Sequence, residues 1–216
     1  MFDAKLFGKY QKFFEVSDCG IEDDTTPYIL SAGSGNIVVS APHSTDHYRN
    51  GKRKTAEPQT GALAMLLHEQ TDCHMIVRSR AFRDDPNYDA ANAYKDALGE
   101  LVRSQGIEYA LDLHQLSDRR SVRINIGTGK GKNVRGLYFV EISLEAFKKR
   151  KIGPVQIDKP FAGAYEHTVS SFLSRECGVQ SLQIEMNSAL FGSRDEGKTE
   201  LVYDALEEIV RTVQGV

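Results

Sequence analysis

Ionisable side chains stand at or near the ends of apolar runs whose β-branched residues favour strands. His43 and His114 each follow such a run, and Glu185 lies near the end of a third. Glu57 directly precedes Pro58 and the first helical pattern. Two histidines and one carboxylate are a common ligand set of a catalytic zinc ion, which keeps a fourth position open for water. The pattern therefore predicts a metal centre of His43, Glu57 and His114, with Glu185 remaining as a general base.

Neighbouring residues offer alternatives within this ligand set. Asp46 and His47 lie close to the first histidine, and either could take the place of Glu57. Asp112 lies two residues before His114 on the same face of a strand, where it could hydrogen-bond the histidine or have only a structural role. The mixed nitrogen and oxygen donors favour one zinc ion per chain over magnesium or calcium, and manganese or cobalt would fit the same ligands.

Substrate binding is predicted from side chains near this centre. A planar guanidinium suits both a substrate carboxylate and a developing oxyanion. Arg80 and Arg83, which follow the second apolar run, are the preferred pair. Tyr165 could contact substrate or pack at the start of a helix, and Asn187 directly follows the strand that carries Glu185. We include these four residues in the predicted substrate site.

The elements that position these residues alternate between two apolar patterns. Short apolar runs predict strands, and longer amphipathic stretches predict helices. This alternation is typical of an α/β domain, in which ligands bind at the carboxyl ends of strands. The predicted strands cover residues 36–41, 74–78, 109–113, 122–126 and 181–186, and the predicted helices cover residues 61–69, 90–105, 164–177 and 197–213.

Two segments that follow strands, residues 44–59 and 127–133, are predicted to be long loops. Long loops in a compact domain are often functional. The second segment is rich in glycine and lysine but lacks the spacing of a phosphate-binding loop. We interpret it as a flap over the active site.

Composition limits the class of protein. The chain of 216 residues is long enough for a sizeable core, and no repeat or linker divides it, so we expect residues 1–216 to form a single domain. A net charge of −3 gives no reason to expect binding to nucleic acid, and no apolar stretch is long enough for a membrane span. The three cysteines lack paired spacing and the amino terminus lacks an apolar leader, which indicates a cytoplasmic protein.

Several short motifs follow one another along most of the chain. They are Pro42-His43-Ser44, Glu57-Pro58, Asp112-Leu113-His114, Ile126-Gly127-Thr128, Pro160-Phe161-Ala162-Gly163-Ala164-Tyr165 and Leu182-Gln183-Ile184-Glu185-Met186. In type and order they resemble the N-formylglutamate amidohydrolase family. That family is similar to the zinc carboxypeptidase and aspartoacylase group and to poly-γ-glutamate hydrolases.

The resemblance implies a three-layer α/β/α fold of the zinc carboxypeptidase-like type around a central mixed sheet. It also implies His43, Glu57 and His114 as metal ligands and Glu185 as the base. The implied activity is zinc-dependent cleavage of a C–N amide bond in a small acidic substrate, such as an N-formyl- or N-acyl-glutamate or a γ-glutamyl peptide. A carboxypeptidase-like peptidase and a non-catalytic metal- or anion-binding protein are the alternatives, and the chain could form a homo-oligomer.

Overall fold

The computed structural model describes residues 1–16, 26–192 and 198–215 of the chain. These residues form strands, α-helices and one short 3₁₀ helix, which lies at Ser188–Phe191. In chain order the elements are α1 (Ala4–Val16), β1 (Tyr28–Ser31), β2 (Ile37–Ala41), β3 (His47–Arg49), β4 (Lys52–Lys54), α2 (Pro58–Thr71), β5 (His74–Arg78), α3 (Ala93–Gln105), β6 (Tyr109–Leu116), β7 (Ile124–Gly127), α4 (Tyr138–Lys149), β8 (Val155–Ile157), α5 (Val169–Cys177), β9 (Gln180–Asn187) and α6 (Lys198–Gln214).

A mixed sheet of seven strands forms the centre of the fold, in the order β1-β5-β2-β6-β9-β7-β8. The strands β5, β2, β6 and β9 are parallel to one another, so their carboxyl ends meet at one edge. β1 pairs antiparallel with β5 and β7 pairs antiparallel with β9, whereas β8 is parallel to β7. The sheet thus brings the segments that follow β5, β2, β6 and β9 next to one another.

Helices cover both faces of this sheet. Successive side chains of a strand point to opposite faces, and β2 shows the result. Val39 packs in a core with α1, α2, α4 and α6, while Val38 packs in a second core with α3 and α5. Both valines are fully buried, as expected for a strand between two helical layers. The fold is therefore a three-layer α/β/α sandwich, which confirms the predicted fold class.

Each predicted strand and helix corresponds to an observed element, but several boundaries differ. β6 continues three residues beyond its predicted end, so His114 lies within a paired strand, in register with Glu185 of β9. α5 begins at Val169 and not at residue 164, because Thr168 is extended and its side chain accepts a hydrogen bond from Ser171 N. The predicted start of the last helix, residue 197, lies outside the described residues.

The predicted loop at residues 44–59 contains a hairpin that the apolar pattern does not indicate. β3 and β4 pair antiparallel there, and their residues are mostly charged or aromatic. The turn residues Asn50 and Gly51 both have positive φ, 52° and 72°. An Asn-Gly turn is the sequence signal for such a tight hairpin, because a type I′ turn needs positive φ at both central residues.

Two further expectations concern the chain as a whole. No helix within the described ranges is long and apolar enough to cross a membrane. Cys73 is buried and Cys177 is half-buried, and both thiols are free. The third cysteine, Cys19, lies outside the described residues.

Candidate active site

The carboxyl ends of β2, β6 and β9 open into a cavity of about 520 Å³. Ligands in open α/β sheets bind at this edge. One side of the cavity is formed by the segment that precedes α5. The lining residues are His43, Arg49, Glu57, Asn87, Tyr88, His114, Gln115, Pro160, Phe161, Ala162, Gly163, Ala164, Tyr165, Thr168, Gln183 and Glu185.

The three predicted metal ligands converge in this cavity. His43 Nδ1 lies 3.2 Å from His114 Nδ1 and 3.5 Å from Glu57 Oε1. His114 Nδ1 lies 3.8 Å from Glu57 Oε2. A tetrahedral zinc ion with ligands at about 2.0–2.1 Å keeps its ligand atoms about 3.3 Å apart. The three side chains therefore form a group that could hold a metal ion.

Carboxylates behind the two imidazoles determine which nitrogen faces the centre. His43 Nε2 donates to Asp85 Oδ1 at 2.9 Å, and His114 Nε2 donates to Asp112 Oδ2 at 3.1 Å. In the neutral rings both Nδ1 atoms then carry lone pairs. Two lone pairs that face each other at 3.2 Å repel unless a cation lies between them. The donor set thus fits a divalent cation, and such carboxylate–histidine pairs are typical of ligating histidines.

The surroundings of both imidazoles stabilise positive charge. Burial lowers the pKa of His114, but the charge of Asp112 and its hydrogen bond outweigh burial and raise the pKa to about 10. Burial also lowers the pKa of His43, and hydrogen bonds with Asp85 and Glu57 raise it above its ordinary value. The centre therefore favours a cation, whether this is a proton or a metal ion.

Glu57 reaches the centre because the chain returns there from the hairpin to begin α2. Its backbone N donates to His43 O at 2.8 Å, which holds the two ligand segments together. Its side chain accepts a hydrogen bond from Gln115 N at 3.0 Å, at the residue that follows His114. Pro58 then begins the helix. Two hydrogen bonds donated by backbone N–H groups thus fix Glu57 to both segments that carry the histidines.

Glu185 lies beside His114 on the neighbouring strand and lines the cavity. Its side chain is buried, and Oε1 accepts a hydrogen bond from Gln183 Nε2 at 2.8 Å. Burial raises the pKa of Glu185 to about 7, although the positive charge of His114 opposes this shift. A carboxyl group with such a pKa can take up and return a proton near neutral pH.

Asp112, whose role the sequence leaves open, contacts His114 and also belongs to a buried network. Its carboxylate accepts hydrogen bonds from Ser40 Oγ at 3.0 Å and from Ser170 Oγ at 3.3 Å. Ser40 Oγ in turn lies 2.9 Å from the hydroxyl of Tyr94 on α3. A fully buried carboxylate needs such partners, because an unpaired charge in the core is costly. Asp112 therefore orients His114 from a fixed position.

The alternative ligands lie away from the cavity lining. Asp46 forms an ion pair with Arg53 and accepts a hydrogen bond from a backbone N–H at 2.7 Å. The ring of His47 stacks on that of His43, with 3.8 Å between the centroids. With His43 and Asp85 it forms a second group that could hold a metal ion. Burial and the charge of His43 lower the pKa of His47 to about 3.

Among the described residues, the arginine that lines the cavity is not one of the predicted pair. Arg80 and Arg83 are exposed in the segment after β5 and do not belong to the lining, whereas Arg49 of the hairpin does. Arg49 ends β3, which begins six residues after the end of β2, and its Nε donates to Asp85 beside His43. The Asn-Gly turn is the signal that indicates this hairpin. Tyr165 lines the cavity, as the sequence allows.

Asn187 does not reach the cavity either. Its side chain is fully buried, and Nδ2 donates to the carbonyl oxygens of Arg120 and Val122 at 3.0 and 2.9 Å. Oδ1 accepts a hydrogen bond from Ala189 N at 3.0 Å. Because both ends of the amide are bonded within the chain, Asn187 connects β9 to a neighbouring loop and is not available to a substrate.

The glycine-rich segment at residues 127–133 supports one side of the cavity and does not lie over it as a flap. Thr128 N and Oγ1 donate to the carboxylate of Asp158 at 2.7 and 2.8 Å. Gly129 N donates to Ala162 O at 2.6 Å, within the segment that lines the cavity. The carboxylate of Asp158 thus already accepts the hydrogen bonds of Thr128 that an anion bound to this loop would accept.

No family model and no curated protein matches the sequence. Solved structures do match. An N-formylglutamate amidohydrolase from Ralstonia eutropha JMP134 superposes with a TM-score of 0.64 and 17% identity, over 89% of this chain and 98% of that chain. A metallo-carboxypeptidase from Burkholderia cenocepacia gives 0.54 and 14%, over 98% and 68%. A bacteriophage poly-gamma-glutamate hydrolase gives 0.52 and 12%, over 87% and 89%. The chain therefore has the fold of these hydrolases, which confirms the fold implied by its motifs.

Proposed function

We propose that the chain is a zinc-dependent amidohydrolase that cleaves the C–N amide bond of a small acidic substrate, such as an N-acyl amino acid or a γ-glutamyl peptide. The observation that carries this proposal is the convergence of His43, Glu57 and His114 with Glu185 beside them. The donor atoms lie 3.2, 3.5 and 3.8 Å apart, close to the spacing of the ligands of a tetrahedral ion, and burial raises the pKa of Glu185 to about 7. The similarity in fold to an N-formylglutamate amidohydrolase supports cleavage of an amide bond.

The residues of the chain divide the chemistry between them. His43, Glu57 and His114 would hold the ion, and a zinc ion there supplies Lewis-acid activation of water and of the substrate carbonyl. Asp85 and Asp112 hold the Nε2 atoms of the imidazoles, which leaves the Nδ1 atoms facing the centre where an ion would be held. Glu185 takes the proton of the attacking water and passes it to the leaving nitrogen.

The proposal is tested by removing metal from the purified chain and adding back zinc, manganese or cobalt. Hydrolysis of N-formyl, N-acetyl and γ-glutamyl amino acids is then measured by release of the free amine. We expect turnover with about one zinc ion per chain, loss of turnover on chelation and recovery when zinc is restored. Tight binding of one ion without turnover of any of these amides would contradict catalysis and favour the non-catalytic metal-binding protein.

A carboxypeptidase-like peptidase is the second candidate. The same centre would activate water against a peptide bond, and the cavity of about 520 Å³ has room for groups on both sides of an amide. Dipeptides in the same screen separate the two activities. Faster cleavage of dipeptides than of N-acyl amino acids would favour the peptidase.

We expect Asp112→Asn to weaken zinc binding about 10–100-fold, because the neutral amide no longer increases the donor strength of His114. Competition with a chromogenic chelator measures this affinity. Asp96→Asn, an exposed carboxylate on α3, is the matched control and should bind zinc as the wild type does. Unchanged affinity of Asp112→Asn in a chain with native circular dichroism would show that Asp112 does not support the centre.

A further inference from the structure

A strongly basic side chain, that of Arg49, lines the cavity. Arg49 is the sole lysine or arginine among the described lining residues. Its Nε donates to Asp85 Oδ2 at 2.7 Å, and its side chain is 35% exposed. Within the described part of the chain its two terminal amino groups have no hydrogen-bond partner. These two groups can bind both oxygens of a carboxylate through parallel hydrogen bonds.

Asp85 hydrogen-bonds Arg49 at Nε, and other donors share the same carboxylate. Asp85 Oδ1 also accepts hydrogen bonds from His43 Nε2 and from Asn87 N, each at 2.9 Å. Its other oxygen lies 3.7 Å from His47 Nε2. Arg49 therefore keeps its two terminal amino groups for a ligand in the cavity that it lines, and Asp85 holds it at a fixed place beside His43.

Aromatic rings adjoin this arginine. Tyr88, Phe161 and Tyr165 line the cavity, and we call them the aromatic wall. The guanidinium of Arg49 lies 4.8 Å from the ring centroid of Tyr88. Tyr165 stacks on Tyr88 with 5.6 Å between ring centroids. Phe161 and Tyr165 are 43% and 48% exposed. Large aromatic side chains exposed together at a cavity indicate a surface that binds an apolar group.

We propose that this site selects an amide that carries a single carboxylate, bound by Arg49, and an aromatic or large aliphatic group, packed on the aromatic wall. The inference rests on the proposed function. It narrows the substrate from a glutamate-like dianion to an N-acyl amino acid or dipeptide with a large apolar side chain.

The charges of the lining residues explain why a substrate with a second carboxylate should bind less tightly. It would lie against the aromatic wall or near Glu57 and Glu185, without a cation of its own among the lining residues that the structure describes. Leaving a carboxylate unpaired in a partly apolar cavity is costly. Arg120 lies over Phe161 at 5.1 Å from the ring centroid, but it is not a lining residue. The volume of about 520 Å³ leaves room for a ring beside the amide.

Binding of uncleaved ligands tests this inference separately from catalysis. Isothermal titration of the zinc-loaded wild type would use N-methanesulfonyl derivatives of phenylalanine, leucine, alanine and glutamate, in which a sulfonamide replaces the amide. The carboxamide of the phenylalanine derivative tests the need for the carboxylate. We expect the phenylalanine and leucine derivatives to bind at least about tenfold more tightly than the glutamate derivative, and the carboxamide to bind about tenfold more weakly than its acid.

Three variants test whether Arg49 binds the carboxylate and whether Tyr165 binds the apolar group. Arg49→Ala should remove the preference for acid over carboxamide, and Tyr165→Ala should reduce the preference for phenylalanine over alanine about fivefold. Arg103→Ala, an exposed arginine on α3, is the control that should change neither ratio. Circular dichroism checks folding, and Arg49→Gln, which keeps an N–H donor, replaces Arg49→Ala if that variant does not fold.

Tighter binding of the glutamate derivative by the wild type would overturn the inference, most directly if Arg120→Ala removed that preference. An acid-to-carboxamide ratio that Arg49→Ala leaves unchanged would overturn it as well. Failure of the proposed function has a different result. The binding preferences would then appear as expected, while no amide in the activity screen is cleaved.

Discussion

We expect Glu185→Gln to lower kcat for amide hydrolysis by about 10²–10⁴-fold while the chain still binds one zinc ion. The amide has nearly the shape of the carboxylate but cannot accept the proton of the attacking water. Glu185 contributes no atom to the group formed by His43, Glu57 and His114, so metal affinity should change little. Steady-state kinetics and metal content by mass spectrometry measure the two effects on the same preparation.

The control for Glu185→Gln is Glu145→Gln, which changes an exposed glutamate on α4 and should retain wild-type kcat. Binding of the uncleaved sulfonamide ligands should also survive in Glu185→Gln, because the loss concerns proton transfer and not the shape of the cavity. Turnover within about threefold of the wild type would remove Glu185 from the role of base. Loss of zinc together with turnover would show that Glu185 is a ligand.

Much of the fold follows from the sequence because the apolar pattern and the sheet topology agree. The buried strands of an α/β sheet are apolar on both faces, so β2 with Val38 and Val39 is recognisable as a short continuous apolar run. His43 lies two residues beyond the end of this strand, and His114 lies near the end of β6. The parallel arrangement of the two strands then brings the histidines together without any detail of side-chain packing.

The parts that the sequence did not predict depend on contacts between distant segments. Arg49 reaches the cavity through a hairpin of charged residues, which lacks the apolar pattern of a core strand. Asp85 supports His43 across 42 positions of the chain, and no local pattern indicates that partner. The same limit explains why no local pattern indicates Asp158, which lies 30 positions from Thr128, as the acid that binds the glycine-rich segment.

We expect His114→Ala and Glu57→Gln each to weaken zinc binding by more than about 100-fold. Loss of a direct ligand should weaken binding more than loss of a carboxylate that only hydrogen-bonds a ligand. His47→Ala is the discriminating variant. His47 stacks on His43 and contacts Asp85, but it does not line the cavity. Its loss should therefore leave zinc affinity within about tenfold of the wild type.

These variants decide between the two groups of side chains that could hold the ion. If zinc sits between His43, Glu57 and His114, affinity falls for the Glu57 and His114 variants. If zinc instead uses His47, affinity falls for His47→Ala and Glu57→Gln binds normally. Competition with a chromogenic chelator gives each affinity, and thermal denaturation of the metal-free variants confirms that they fold. The first result is expected because His43 Nδ1 faces His114 with its lone pair, whereas His43 Nε2 is already bonded to Asp85.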